Sequence, residues 1–168
     1  MKEASPWILA AAVFVVLLVV AWPTAETVEL ASDFSLEALD GRTVTLSSLR
    51  GRVVVVDFWA SWCKPCTRTM PALHETVGRY ADRGVVLLAI SLDRSAEAAR
   101  DYALEIGLAE GDVLYGSLAA TRAVKELYGV VGIPRTFIID AEGWIRYSGW
   151  PDGVTDEALA AWLPVEGA

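Results

Sequence analysis

Scarcity marks this 168-residue chain, which holds two cysteines, two methionines and a single histidine. Two cysteines cannot make a disulfide-rich scaffold, and a zinc site built from them lacks ligands. Positive charge is also short. Lys and Arg number 14 against 22 Asp and Glu, for a formal net charge of −8. That balance argues against a nucleic-acid partner, since a phosphate backbone needs a basic face. The length is that of one ordinary domain. A hydrophobic content of 54% excludes a disordered chain. Internal repeats and low-complexity segments are absent as well. What remains is one globular domain with a few chemically distinctive residues.

The apolar residues are unevenly spread. Residues 7–22 (WILAAAVFVVLLVVAW) are all apolar, and no charge occurs between Glu3 and Glu26. As a helix, 7–22 reaches about 24 Å, a little short of a hydrocarbon core of about 30 Å. Extending the stretch from Ala4 to Ala25 spans it, and Trp7 and Trp22 bracket it where an aromatic belt sits. Cleavage of a signal peptide wants small residues at −3 and −1, but Trp22 and Pro23 crowd that place. The expectation is therefore an uncleaved anchor over 1–25, with a secreted form if the segment is cut after all. Lys2 precedes the run, while Glu26, Glu29 and Asp33 follow it. This charge order predicts a single-pass protein with a cytoplasmic N-terminus and a domain outside the cytoplasmic membrane, on the periplasmic side.

Residues 26–33 read as a linker and 34–168 as the domain. Asp40-Gly41 between 34–39 and 43–46 signals a hairpin. The apolar runs 53–59 and 85–92 suit strands covered on both faces. A helical pattern covers 64–82, with a kink expected at Pro71. Ser95 and Thr155 are capping residues for helices to about Ile106 and Leu163, and Gly129 closes a helix over 118–128. A short strand is expected at 112–115, and 135–140 and 144–148 form a terminal hairpin. Strands alternating with helices predict an α/β sandwich with a mixed sheet.

The chemistry sits at Cys63-Lys64-Pro65-Cys66. The first thiol falls at a helix N-terminus, where unpaired N–H groups and the macrodipole favour thiolate, and Lys64 adds a positive charge. Cys63 is then the group that attacks a substrate disulfide, and Cys66, one turn inward, resolves the mixed disulfide. Pro65 suits the first turn because its missing N–H is unpaired there anyway. A purely structural disulfide gains little from so small a loop. A zinc site using Cys63, Cys66 and His74 still wants a fourth ligand.

The segment Val56-Asp-Phe-Trp-Ala-Ser-Trp-Cys-Lys-Pro-Cys66 resembles the active-site segment of thioredoxins, and Gly132-Ile-Pro-Arg-Thr-Phe-Ile-Ile-Asp140 resembles their cis-proline loop. The apolar N-terminus, the leading hairpin and the extra segment at about 93–116 are similar to the TlpA/ResA-like branch of membrane-anchored thiol–disulfide oxidoreductases. The resemblance covers about 34–163. It implies a thioredoxin-like three-layer sandwich, a redox disulfide Cys63–Cys66 with Cys63 exposed, and a cis bond before Pro134, with the Ile133 backbone pairing with substrate. Trp62 is expected to shield the disulfide, and Trp59 to belong to the core. Asp57 matches the buried acid of thioredoxins, a proton acceptor for the resolving cysteine, and burial should raise its pKa. A surface-pointing edge residue is the alternative there. Many relatives of the branch carry their acid three residues after the second cysteine, where this chain has Thr69.

The resemblance implies an extracytoplasmic oxidoreductase that reduces protein disulfides, with apocytochrome c or copper-site assembly proteins as clients. A transmembrane electron donor is implied too, since no glutathione pool maintains a reductant there. No cofactor or metal is implied, and a monomer is expected. One alternative is an oxidant that donates disulfides. Another is a copper-binding chaperone whose thiols gain a third ligand from His74 or Met70.

Overall fold

The computed structural model describes residues 29–163. The expected anchor over 1–25 lies outside them, and among the described residues no helix is long and apolar enough to cross a membrane.

Four central strands carry the fold. Strand β4 (Val54–Trp59) is buried at every position, runs parallel to β5 (Val86–Ser91) and antiparallel to β7 (Arg135–Ile139). Strand β8 (Trp144–Gly149) pairs antiparallel with β7, and the short β6 (Val113–Leu114) lies parallel to β5. Part of the stretch expected as a linker joins this sheet. Strand β1 (Glu29–Leu30) adds to the outer side of β8, with Glu29 opposite Ile145. Two residues carry too little alternation to read as a strand, so tertiary pairing decides it. The mixed sheet then has the order β1-β8-β7-β4-β5-β6, and β2 (Ser35–Glu37) with β3 (Thr43–Thr45) forms a separate hairpin. Gly41, at φ +85°, makes the turn that Asp40-Gly41 announced.

Alternation along β4 sorts the core into two faces. Val53, Val55 and Trp59 pack with Met70, Leu73, Ala99, Ala103 and Leu159. That face is covered by α1 (Lys64–Gly78), α2 (Ala96–Glu105) and α4 (Asp156–Ala160). Val54, Val56 and Phe58 pack with Leu36, Leu46, Phe137 and Val124, beneath the hairpin and α3 (Leu118–Leu127). Helix, sheet and helix make the three layers. Ser95, Ser117 and Thr155 each cap a helix by accepting an N–H three residues on, at 3.3, 3.1 and 3.2 Å.

Two helices are shorter than their patterns suggest. Helix α1 ends at Gly78, a poor helix residue, and Gly84 at φ +85° then turns the chain into β5. Helix α4 ends at Ala160, and Trp162 docks beneath the Arg146 guanidinium, 4.6 Å from its ring centre. Pro71 sits inside α1 without ending it. Proline has no N–H for the carbonyl four residues back, that of Thr67. The Tyr102 hydroxyl of α2 donates to this carbonyl instead, at 2.9 Å.

Candidate active site

Helix α1 begins where the buried strand β4 runs out. Cys63 is its N-cap, with extended backbone, and its Sγ accepts the Cys66 N–H at 3.3 Å. An N–H aimed at the sulfur, together with the helix dipole, favours Cys63 as a thiolate once the pair is reduced. Cys63 and Cys66 are joined in a disulfide. Lys64 and Pro65 fill the first turn, Lys64 exposed and Pro65 half-buried.

Cys63, expected to be exposed, is only 6% accessible, against 1% for Cys66. The cause is packing. The pair joins the core cluster beneath α1, and the Ile133 carbonyl lies 3.9 Å from Cys63 Sγ. Cys63 is still the more accessible of the two. The Ile133–Pro134 peptide is cis, with Pro134 buried and Ile133 half-buried. The loop before β7 therefore faces the disulfide. Trp62 stands out into solvent at 64% exposure, while Trp59 is fully buried and packs on Tyr102, their ring centres 5.3 Å apart.

Asp57 is buried, which rules out the edge-residue alternative. It lies between Val55 and Trp59, so alternation puts its carboxyl on the face that α1 and Cys66 cover. Thr136, opposite it on β7, donates a 2.6 Å hydrogen bond to Asp57 Oδ1. Burial pushes the Asp57 pKa up to about 7, and the Thr136 bond opposes that rise. The acid can thus release or take a proton near neutrality. Thr69 returns its hydroxyl to its own helix, donating to the Pro65 and Cys66 carbonyls at 3.2 and 3.3 Å.

Asp93 escaped the sequence reading. Its buried carboxylate accepts from the Ser61 N–H at 3.1 Å, the Ser61 hydroxyl at 2.7 Å and the Ser91 hydroxyl at 2.8 Å. These bonds pin the loop that carries Trp62 and Cys63. One signal pointed to it. Parallel neighbours β4 and β5 end side by side, so the residues just past both ends must meet.

His74 does not approach the sulfurs. Eight residues beyond Cys66 along α1, it lies about 12 Å down the helix. There it lines a different cleft with Arg42, Arg52 and Asp112. Met70 is buried in the core. His74 is therefore no third ligand for the thiols, whereas Met70 shares the core cluster of Cys63 and Cys66.

Known proteins bear on the site in three ways. The AhpC/TSA family model matches residues 28–148. The chain is 35% identical over 116 residues to the thiol-disulfide oxidoreductase ResA of Geobacillus thermodenitrificans, covering 69% of this chain and 64% of that one. It is 33% identical over 118 residues to the thioredoxin-like protein YneN of Bacillus subtilis, covering 69% and 66%. The chain thus spans just under two thirds of the length of these relatives. A crystal structure described as a thiol:disulfide interchange protein DsbE from Chlorobium tepidum superposes with a TM-score of 0.72 at 30% identity. That superposition covers 82% of this chain and 97% of the other.

Proposed function

The chain belongs to the AhpC/TSA family, and we propose that it is a thiol–disulfide oxidoreductase that reduces protein disulfides. One observation carries the reading. A disulfide at the start of α1 faces the Ile133 carbonyl on one side, with a buried acid on the sheet face beneath the same helix. The names of the ResA, YneN and DsbE relatives support the same reading.

In the reduced protein the Cys63 thiolate attacks one sulfur of a client disulfide. A mixed disulfide forms and the client's other sulfur leaves as thiolate. Asp57 then takes the Cys66 proton. The Cys66 thiolate attacks Cys63, releasing the second client thiol and closing Cys63–Cys66. Two electrons pass to the client; one of its new thiols takes the Cys66 proton back from Asp57, and the other is protonated by solvent, since Cys63 reacted as thiolate. The backbone of Ile133 pairs with the client chain, in the manner of strand addition. Trp62, Lys64 and Pro65 border its path.

The domain works outside the cytoplasmic membrane, held there by residues 1–25. The positive-before, negative-after charge order supports this. Apocytochrome c or copper-site proteins are the clients, and a transmembrane partner returns the electrons. The test is covalent capture. Cys66→Ser leaves Cys63 able to attack but unable to let go, so it should hold clients as mixed disulfides that dithiothreitol releases. Capture by Cys63→Ser instead, or by neither variant, contradicts the proposal.

A further inference from the structure

Beside the disulfide lies an open cleft of about 530 Å³ lined by Trp62, Leu92, Arg94 and Arg122. Its parts are held in place from beneath. The Leu92 N–H donates to the Trp59 carbonyl at 2.8 Å, and Asp93 grips Ser61. Arg94 and Trp62 therefore flank two loops tied to each other. Arg122 comes from α3, which is seated by buried Thr121 and Val124. Both arginines are exposed, and among the described residues neither forms an ion pair or a side-chain hydrogen bond. Arg42, Arg79, Arg100 and Arg146 have carboxylate partners, whereas Arg50, Arg52, Arg68, Arg83 and Arg135 have none among the described residues, so what sets Arg94 and Arg122 apart is the cleft they share. An acidic chain has left two guanidiniums free at the mouth of its site.

We infer that this cleft selects client segments carrying an acidic residue next to the reacting cysteine, with an apolar neighbour against Trp62 and Leu92. The inference rests on the oxidoreductase reading and names its substrate class. Charge complementarity supports it. Guanidinium offers a planar fork that matches a carboxylate. Apolar contact comes from the exposed Trp62 and from Leu92 in the cleft lining. The formal charge of −8 does not cancel the effect. At physiological salt, charges more than about 8 Å apart are largely screened, so the contact pairs in the cleft decide.

The experiment uses the full chain, reduced beforehand and freed of reductant. It is mixed with two synthetic peptides, each closed by one disulfide, with Asp or Lys beside the cysteines. Neutral hydroxyethyl disulfide serves as the third substrate. The Asp peptide should react about tenfold faster than the Lys peptide, and added salt should narrow the gap. Arg94→Gln combined with Arg122→Gln should bring the ratio near one, and Arg122→Glu should turn it toward the Lys peptide. Arg83→Gln, past the far end of α1, should keep the wild-type ratio. Equal rates for the two peptides with wild-type protein, or an unchanged ratio in the double variant, overturn the inference. No reaction with any of the three disulfides removes the oxidoreductase reading itself, and the inference falls with it.

Discussion

The Thr136 hydroxyl donates a 2.6 Å hydrogen bond to the Asp57 carboxyl, and both side chains are buried on the face of the sheet that α1 covers. A lone carboxylate is costly to bury, and one hydroxyl compensates only part of that cost. The result is an acid whose pKa is pushed up to about 7 by burial. In the proposed mechanism it serves Cys66, which must lose its proton before it can resolve a mixed disulfide.

Asp57→Asn should slow disulfide reduction near neutral pH by about 100-fold while the fold stays intact. The inflection near pH 7 in the wild-type pH–rate profile should vanish. Stopped-flow measurement across pH 5 to 9 checks this, and an unchanged profile contradicts the assigned role.

Stability should follow the same acid. The folded protein holds the Asp57 proton more tightly than the unfolded chain, so its contribution is complete below about pH 4. It is lost as pH rises toward 7, at about 1.4 kcal/mol per pH unit. Above pH 7, Asp57→Asn should therefore be more stable than wild type, with a flatter dependence between about pH 4 and 7. Denaturant midpoints at several pH values provide the comparison.

Thr136→Val removes the one bond that lowers the Asp57 pKa. The kinetic inflection should move to higher pH, whereas Thr136→Ser should keep it near the wild-type position.

Asp93→Ala strips acceptors from Ser61 and Ser91 together. Loss of buried bonds to a charged group should cost about 3 kcal/mol. Exchange of the Ser61 amide hydrogen should also quicken as its loop loosens. Slow exchange in that variant contradicts the positioning role.

Tyr102→Phe tests the carbonyl that Pro71 leaves open. It should cost about 1 kcal/mol of stability and leave the Asp57 inflection where it was. Thermal unfolding alongside the pH–rate profile separates the two.

Local chemistry explains what the sequence disclosed. Asp40-Gly41, the Ser95 and Thr155 caps and the apolar runs each act over a few neighbouring residues, and the structure places them accordingly. Cys63 and Cys66 declared themselves by spacing at a strand-to-helix junction. Other features depend on partners far away in the chain. Glu29–Leu30 is a strand only because β8 lies beside it. Asp93 looked like one more polar residue until β4 and β5 brought Ser61 to it from 32 positions away. Pro71 stays within α1 because a tyrosine 35 residues beyond Thr67 supplies the missing donor. Arg94 and Arg122 gain meaning only from the cleft they share with Trp62.

The most direct test of the account is the reduction potential of the Cys63–Cys66 pair, measured on the full chain equilibrated with thiol buffers. A reductant recharged across the membrane should lie at or below about −250 mV, in the range of thioredoxin. A value near about −120 mV would make the protein a donor of disulfides and contradict the proposed direction of electron flow.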